Sequence, residues 1–328
     1  MTMRRIGHMD VPALGLGCMN VSHAYGVPPA REDAIALLNH AFDLGVRHFD
    51  TAALYGFGRN EELVGSVLSS QRSSIYLASK CGMIGIDGRR VIDGRPDTLK
   101  RTCHESLQRL RTDVIDLYYL HRWDKNVPIE ESVGALSELV TAGHIRGIGL
   151  SEVSAATLRR AHAVHPITAV QSEFSVWTRN PEIAVLDECR RLDIAFVAFS
   201  PLGRGFLTNH DVCSDALLPK DIRREMPRFQ EPDCSANRTL LQTFRTLAAD
   251  SGCTAAQLAL AWLLRRGEHI LPIFGTTSIA HLTENWEAAN LRLEDRVIVQ
   301  VDACVNTGNI HGRRYNPATQ SEIDTEEF

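Results

Sequence analysis

The chain has 328 residues, 44% of them hydrophobic, and a formal net charge of −5 from 35 basic and 40 acidic side chains. This is material for a large core, and mild acidity without a long like-charge run argues against a nucleic-acid or anionic-membrane partner. No apolar run approaches the ~18 residues of a membrane span, the start Met1-Thr2-Met3-Arg4-Arg5 lacks a signal-peptide core, and eight cysteines without a C-x-x-C pair read as reduced thiols of a cytoplasmic protein.

Two segments, 3–7 and 11–17, read as short strands at the start of the chain. They read as a hairpin plug, or the second reads as a first barrel strand. Residues 31–44 keep a helical period, with Ala34, Ile35, Leu37, Leu38, Ala41 and Phe42 apolar and Gly45 as stop. Strand 48–51 and helix 61–69 follow, then strand 75–80, a loop and helix 97–110. Strand 115–121 leads to helix 129–141, and strand 145–151 to helix 155–164, which Ser154 is placed to cap. Strand 169–173 precedes helix 181–192, with Pro181 in its first turn, and strand 195–200 comes next. A long segment, 201–237, interrupts the rhythm before helices 239–251 and 254–266. Strand 270–273, helix 280–289, a last helix 293–305 and a polar tail complete the chain. Strands alternating with helices require parallel pairing through crossover helices. Eight such units suit a closed α/β barrel, the (β/α)8 TIM barrel, as one domain over 1–328 with its core at 14–290 and an extra helix and tail at 291–328. An open doubly wound sheet would want a Gly-rich first turn, and Gly15-Leu16-Gly17 lacks the third glycine.

A barrel collects its chemistry where the strands end. Three successive strand exits carry Asp50 with Tyr55 five residues on, then Lys80, then His121. Taken singly these are a cap, a packing ring, a surface amine and a buried imidazole. Together at one rim they describe an acid catalyst. A phenol titrates near ~10, and a close ammonium favours its ionised form. Asp50 would hold Lys80 charged, and a neutral His121 would orient a substrate oxygen. Zinc chemistry would instead want His ligands on strands. His162 and His165 are three apart on a predicted helix and read as a solvated face, so no metal is expected.

This constellation resembles the aldo-keto reductase superfamily, and the chain looks closest to its microbial pyridoxal-reductase and auxin-induced-like branch. The resemblance runs from about Leu14 to Asn290. It implies an NAD(P)H-dependent oxidoreductase that reduces aldehydes or ketones reversibly, with Tyr55 as proton donor. The alternative it leaves is a nucleotide-binding regulatory subunit like those of potassium channels. Further carry-over concerns the cofactor. Ser151, Glu152 and Gln171 would bind the nicotinamide carboxamide, with Glu152 where many relatives have Asn. Phe199 would stack on the ring. In the run Ser200, Pro201, Leu202, Gly203, Arg204 and Gly205, backbone N–H groups would cradle the pyrophosphate. The segment 221–229 would fold over it. Gly275, Thr276 and Thr277 follow the last strand. Ser278 and His281 stand where relatives carry the cations that clamp a 2′-phosphate, and Glu284 and Asn285 remain as adenine contacts. NADPH is therefore expected with weak discrimination against NADH. Met19, Tyr25, Phe57, Met83, Trp123 and Trp177, on loops after strands, suggest an apolar or aromatic carbonyl or alcohol as substrate. The tail through Arg313, Arg314 and Tyr315 would close over the mouth, or run free, or meet another subunit.

Overall fold

Gly-stopped helices and short β-branched runs assemble around a closed parallel barrel in the computed structural model. It describes residues 2–328 except 23, 87, 211 and 214–216, so four residues of the long segment 201–237 lie outside the described part. The barrel strands are β3 (Gly15–Gly17), β4 (His48–Asp50), β5 (Tyr76–Cys81), β8 (Leu117–Leu120), β9 (Ile148–Ser151), β10 (Ile167–Glu173), β11 (Ala195–Phe199) and β12 (Ile270–Phe274). They pair in that order and β12 closes on β3. β1 (Met3–Ile6) and β2 (Met9–Pro12) form an antiparallel hairpin. Ile6 and Val11 join the barrel's inner core with Tyr76, Leu117, Tyr119 and Ile273. The run 11–17 thus divides: its first part is hairpin plug and its end is the first barrel strand.

Helices α1 (Arg31–Leu44), α2 (Arg59–Leu68), α3 (Pro96–Leu110), α4 (Ile129–Thr141), α5 (Ala155–Val164) and α6 (Val185–Arg191) cross over between strands. The β11 to β12 connection holds two, α7 (Asp233–Asp250) and α8 (Ala255–Leu264). After β12 come α9 (Ile279–Glu287), α10 (Asp295–Cys304) and α11 (Pro317–Ser321). Their boundaries follow local chemistry. Gly45 turns left-handed at the end of α1, Ser154 accepts the amide of Thr157, and Thr254 and Gln257 make a reciprocal capping box. α6 is shorter than expected because 180–182 forms a separate 3-10 turn, and α7 begins earlier, at Asp233. The loop after β5 holds a second hairpin, β6 (Met83–Ile86) with β7 (Arg89–Ile92). Its signal is Asp87-Gly88 between apolar pairs. No single helix among the described residues is long and apolar enough to cross a membrane.

Two of the eight cysteines correct the expectation of reduced thiols: Cys213 and Cys234 form a disulfide. They are 21 residues apart, a spacing without a motif, and the first turn of α7 brings Cys234 back beneath the segment that carries Cys213.

Candidate active site

Three strand ends converge on the floor of one cavity. Lys80, near the end of β5, is 1% exposed, which obliges its ammonium to find partners. It makes an ion pair with Asp50 at the end of β4, donates to the Thr51 carbonyl at 2.8 Å, and donates to the Tyr55 hydroxyl at 3.3 Å. The loop carrying Tyr55 is fixed from below. Asn60 is fully buried, accepts from Thr51 Oγ1 at 2.6 Å and donates to the Cys18 carbonyl at 2.8 Å. Beyond Tyr55 the chain reverses through Gly56 and Gly58, at φ 58° and 91°. His121, just past β8, meets Tyr55 edge-on with ring centroids 5.8 Å apart. Tyr55, His121 and Asp50 line the cavity, and Lys80 lies beneath them.

The electrostatics modify the sequence argument. Burial pushes the Tyr55 phenol above its ordinary value, and the opposing pull of Lys80 offsets this only in part. The tyrosine is a neutral, protonated acid at pH 7. Burial opposes the charge on Lys80, but Asp50 and Tyr55 outweigh it and raise its pKa, so it stays an ammonium. Burial, with Arg122 and Lys80 nearby, holds His121 well below the usual imidazole range, hence neutral. Its Nδ1 is enclosed without a partner.

The cavity has a volume of about 1160 Å³ and runs from this floor across β11 to α9. Ser151, Gln171, Phe199, Ser200, Pro201, Leu202, Arg204 and Gly205 line it, as do Gly275, Thr276, His281, Glu284 and Asn285. Other expected positions have different employment. Glu152 is outside the lining: it accepts the amide of Glu173 at 2.9 Å and pairs with Arg314 from the tail. Gln171 reaches the cavity, but its amide donates to Asp50 at 2.8 Å. The Gly203 and Gly205 amides are committed to the carbonyls of Ser200 and Leu202. Gly203 is glycine for packing, since a Cβ there would stand 2.9 Å from the Trp177 ring. Thr277 and Ser278 are also outside the lining. Ser278 is the N-cap of α9, its hydroxyl accepting the His281 amide.

Of the six pocket candidates, Met19, Tyr25 and Met83 line the cavity. Phe57, Trp123 and Trp177 do not. Phe57 is 50% exposed and lies against Gly85. Trp123 donates to the Val127 carbonyl at 2.9 Å and faces Lys125 and Arg160. Trp177 is buried and stacks on Phe206. Lining residues absent from the sequence reading include Arg90 on the β6–β7 hairpin, Arg122, and Asn316 and Thr319 from the tail, while Tyr315 lines the mouth over which the tail is expected to close. The tail is tied down. Arg204 donates to Glu173 at 2.5 Å and to the Tyr315 hydroxyl at 2.7 Å, and Arg314 reaches both Glu152 and Glu173. His162 accepts the amide of Ile167 at 3.1 Å.

A profile of the Aldo/keto reductase family matches residues 13–306. The chain belongs to this family. As an aldo/keto reductase it is an oxidoreductase. It is 41% identical over 327 residues to aldo-keto reductase yakc [NADP(+)] of Schizosaccharomyces pombe, covering 98% of this chain and 96% of that one. It is 42% identical over 309 residues to probable aldo-keto reductase 1 of Glycine max, covering 93% and 89%. Among solved structures it is similar to the glycerol dehydrogenase AKR11B4 from Gluconobacter oxydans, with a TM-score of 0.85, 26% identity, and coverage of 96% of this chain and 98% of that one.

Proposed function

We propose that this aldo/keto reductase uses NADPH to convert small aldehydes or ketones to alcohols, with Tyr55 as the proton donor. The observation that carries the reading is the single ammonium of Lys80 shared between Asp50 and the Tyr55 hydroxyl under an open cavity. A dinucleotide fits the rest of that cavity. Its volume exceeds the ~300–1,000 Å³ of ordinary ligand sites, and the glycine-bearing turn 200–205 lines it. The fission-yeast relative carries NADP(+) in its name. Ser151 and Gln171 would hold the nicotinamide end and Glu284 with Asn285 the adenine end. Bound there, NADPH supplies the reducing equivalent.

The chain's own groups do the rest. The Tyr55 hydroxyl gives its proton to the carbonyl oxygen as charge grows there. Lys80, fixed by Asp50 and the Thr51 carbonyl, compensates the phenolate left behind. Neutral His121 orients the carbonyl oxygen without competing for the proton. The apolar character of the substrate has less support than the sequence offered, because three of the six candidate side chains face away. Met19, Tyr25, Leu54, Met83 and Tyr315 remain.

Tyr55→Phe tests the assignment. It removes the proton donor and keeps the ring, so kcat for carbonyl reduction should fall by ~10²–10⁴. The NADPH dissociation constant, read by fluorescence titration, should change little. Near-wild-type reduction by this variant would reject Tyr55 as the acid.

A further inference from the structure

Arg223 and Arg224 line the cavity from the 221–229 segment, and three further guanidinium groups line it from three different elements: Arg90, Arg122 and Arg204. Two of them are neutralised within the chain. Arg90 pairs with Glu322 of the tail at 2.8 Å, and Arg204 pairs with Glu173. Arg122 has no carboxylate within ion-pair distance among the described residues. Its chain position explains where it points. His121 and Arg122 are consecutive at the exit of β8, so the group that follows the floor imidazole is drawn toward the neighbouring exit of β9. There Nη1 donates to the His121 carbonyl and, at 3.2 Å, to Ser151 Oγ. The other two nitrogens are unused. Nη2 makes no hydrogen bond among the described residues, and Nε is shielded from water without a partner.

We infer that Arg122 is the recognition group for a carboxylate on the substrate, so that the preferred substrates are small aldehydes or ketones carrying a carboxylate near the carbonyl. Nη1 is spent on holding the side chain between two strand exits. That leaves Nη2, which can donate one charge-assisted hydrogen bond to a carboxylate oxygen. Half-buried and without a carboxylate partner among the described residues, this guanidinium offers an uncompensated positive charge to an anionic ligand in the cavity. The site also lies where a substrate must. Tyr55, His121, Arg122 and Ser151 line the same cavity, with Met83 and Leu54 to carry the carbon skeleton between carbonyl and carboxylate.

The inference rests on the reductase reading above, and its test separates the two. 4-Formylbenzoic acid and its methyl ester share ring, carbonyl and length but differ in charge. With saturating NADPH, kcat/KM for the acid should exceed that for the ester by about tenfold or more in the wild type. In Arg122→Gln the acid-to-ester ratio should fall by about tenfold to a hundredfold, the worth of a charge-assisted pair. Arg122→Lys should keep part of it. Benzoate binding to the NADP+-loaded protein, measured by calorimetry, should weaken in the same order without any turnover. Equal efficiencies for acid and ester in the wild type overturn the inference, and so does an acid preference that survives in Arg122→Gln. If the wild type reduces neither aldehyde while benzoate binding still requires Arg122, the reductase reading fails and the carboxylate site stands. Should Arg122→Gln fail to fold, the wild-type ratio and the lysine variant decide.

Discussion

Tyr55 stands between two opposed effects, and their balance sets its pH behaviour. Enclosure raises the phenol's pKa, and the Lys80 ammonium at 3.3 Å pulls it down by less than enclosure raises it. The sign follows from which form each direction needs. With Tyr55 as the proposed proton donor, reduction needs the protonated phenol, so its rate should hold through neutrality and fall only as pH rises through the raised pKa. Oxidation of an alcohol needs the phenolate, so its rate should climb with pH over the same alkaline range. Lys80→Met removes the compensating charge and leaves enclosure unopposed, which moves both limbs to higher pH. It also leaves Asp50 buried without its cation, so the variant should be less stable as well as slower. Profiles of kcat/KM against pH in both directions check this. An active Lys80→Met enzyme whose alkaline limb has not moved would make Lys80 a structural residue. Asp50 is also tied to the amide of Gln171. Loss of Gln171 should therefore disturb the floor as well as any cofactor contact.

Two elements shape the cavity from outside the barrel, and each supports a prediction. The tail lies across the mouth through contacts spread along its length. Asp324 accepts from the Ser154 amide at 3.2 Å and its hydroxyl at 2.9 Å, Glu326 accepts from the Ala155 amide at 2.8 Å, and Arg314 pairs with Glu152 and Glu173. Arg314→Met would leave two buried carboxylates short of a cation. That costs roughly 3–5 kcal/mol, readable by urea unfolding, and should release Tyr315 from the cavity wall. Glu173 adds a pH signature. Burial favours its neutral form, but Arg204, Arg314 and Arg228 outweigh burial and bring its pKa down to about 2. A depressed carboxylate stabilises the fold above its unfolded value of 4.5, and that stability is lost as pH falls toward 2. In Arg314→Met this acid-side loss should be shallower, because less depression remains to be undone; an identical slope would show that Arg314 does not bear on Glu173. The second element is α9. Its Ser278 hydroxyl accepts the His281 amide as an N-cap, and in the proposed reading His281, with the His210 ring centroid 5.7 Å away, is the side chain to meet a 2′-phosphate. Preference for NADPH over NADH should therefore be modest. His281→Lys should raise it by about tenfold to a hundredfold, measured as the ratio of the two dissociation constants. An unchanged ratio would place the phosphate elsewhere.

Across the whole molecule, what was legible in the sequence is what a short window determines. Strand and helix periods, the caps at Ser154 and Thr254 and the stop at Gly45 are local, and their regular alternation implies a barrel. Closure of that barrel then brings Asp50, Tyr55, Lys80 and His121 to one rim. What was not legible depends on the direction of a side chain or on partners far apart in the chain. Trp177 follows a strand, as a pocket residue would, yet it turns into the core because Gly203 leaves room for its ring. Glu152 reads as a cofactor contact until Arg314, 162 positions later, arrives to pair with it. The disulfide belongs to the same class. Nothing in the spacing of Cys213 and Cys234 announces it, because only the turn into α7 brings them together. It closes a loop that contains Asp221, Arg223 and Met226 of the cavity lining, so it braces the cofactor side of the mouth. Denatured protein purified without reductant should therefore yield six alkylatable thiols, those of Cys18, Cys81, Cys103, Cys189, Cys253 and Cys304, and eight after reduction. A closed loop of this size is worth roughly 3 kcal/mol through the entropy of the unfolded chain. Dithiothreitol should accordingly lower the urea midpoint of the wild type and leave that of Cys213→Ser where it was. Eight thiols without reductant would remove the brace. A midpoint indifferent to dithiothreitol would show that the loop opens independently of the barrel.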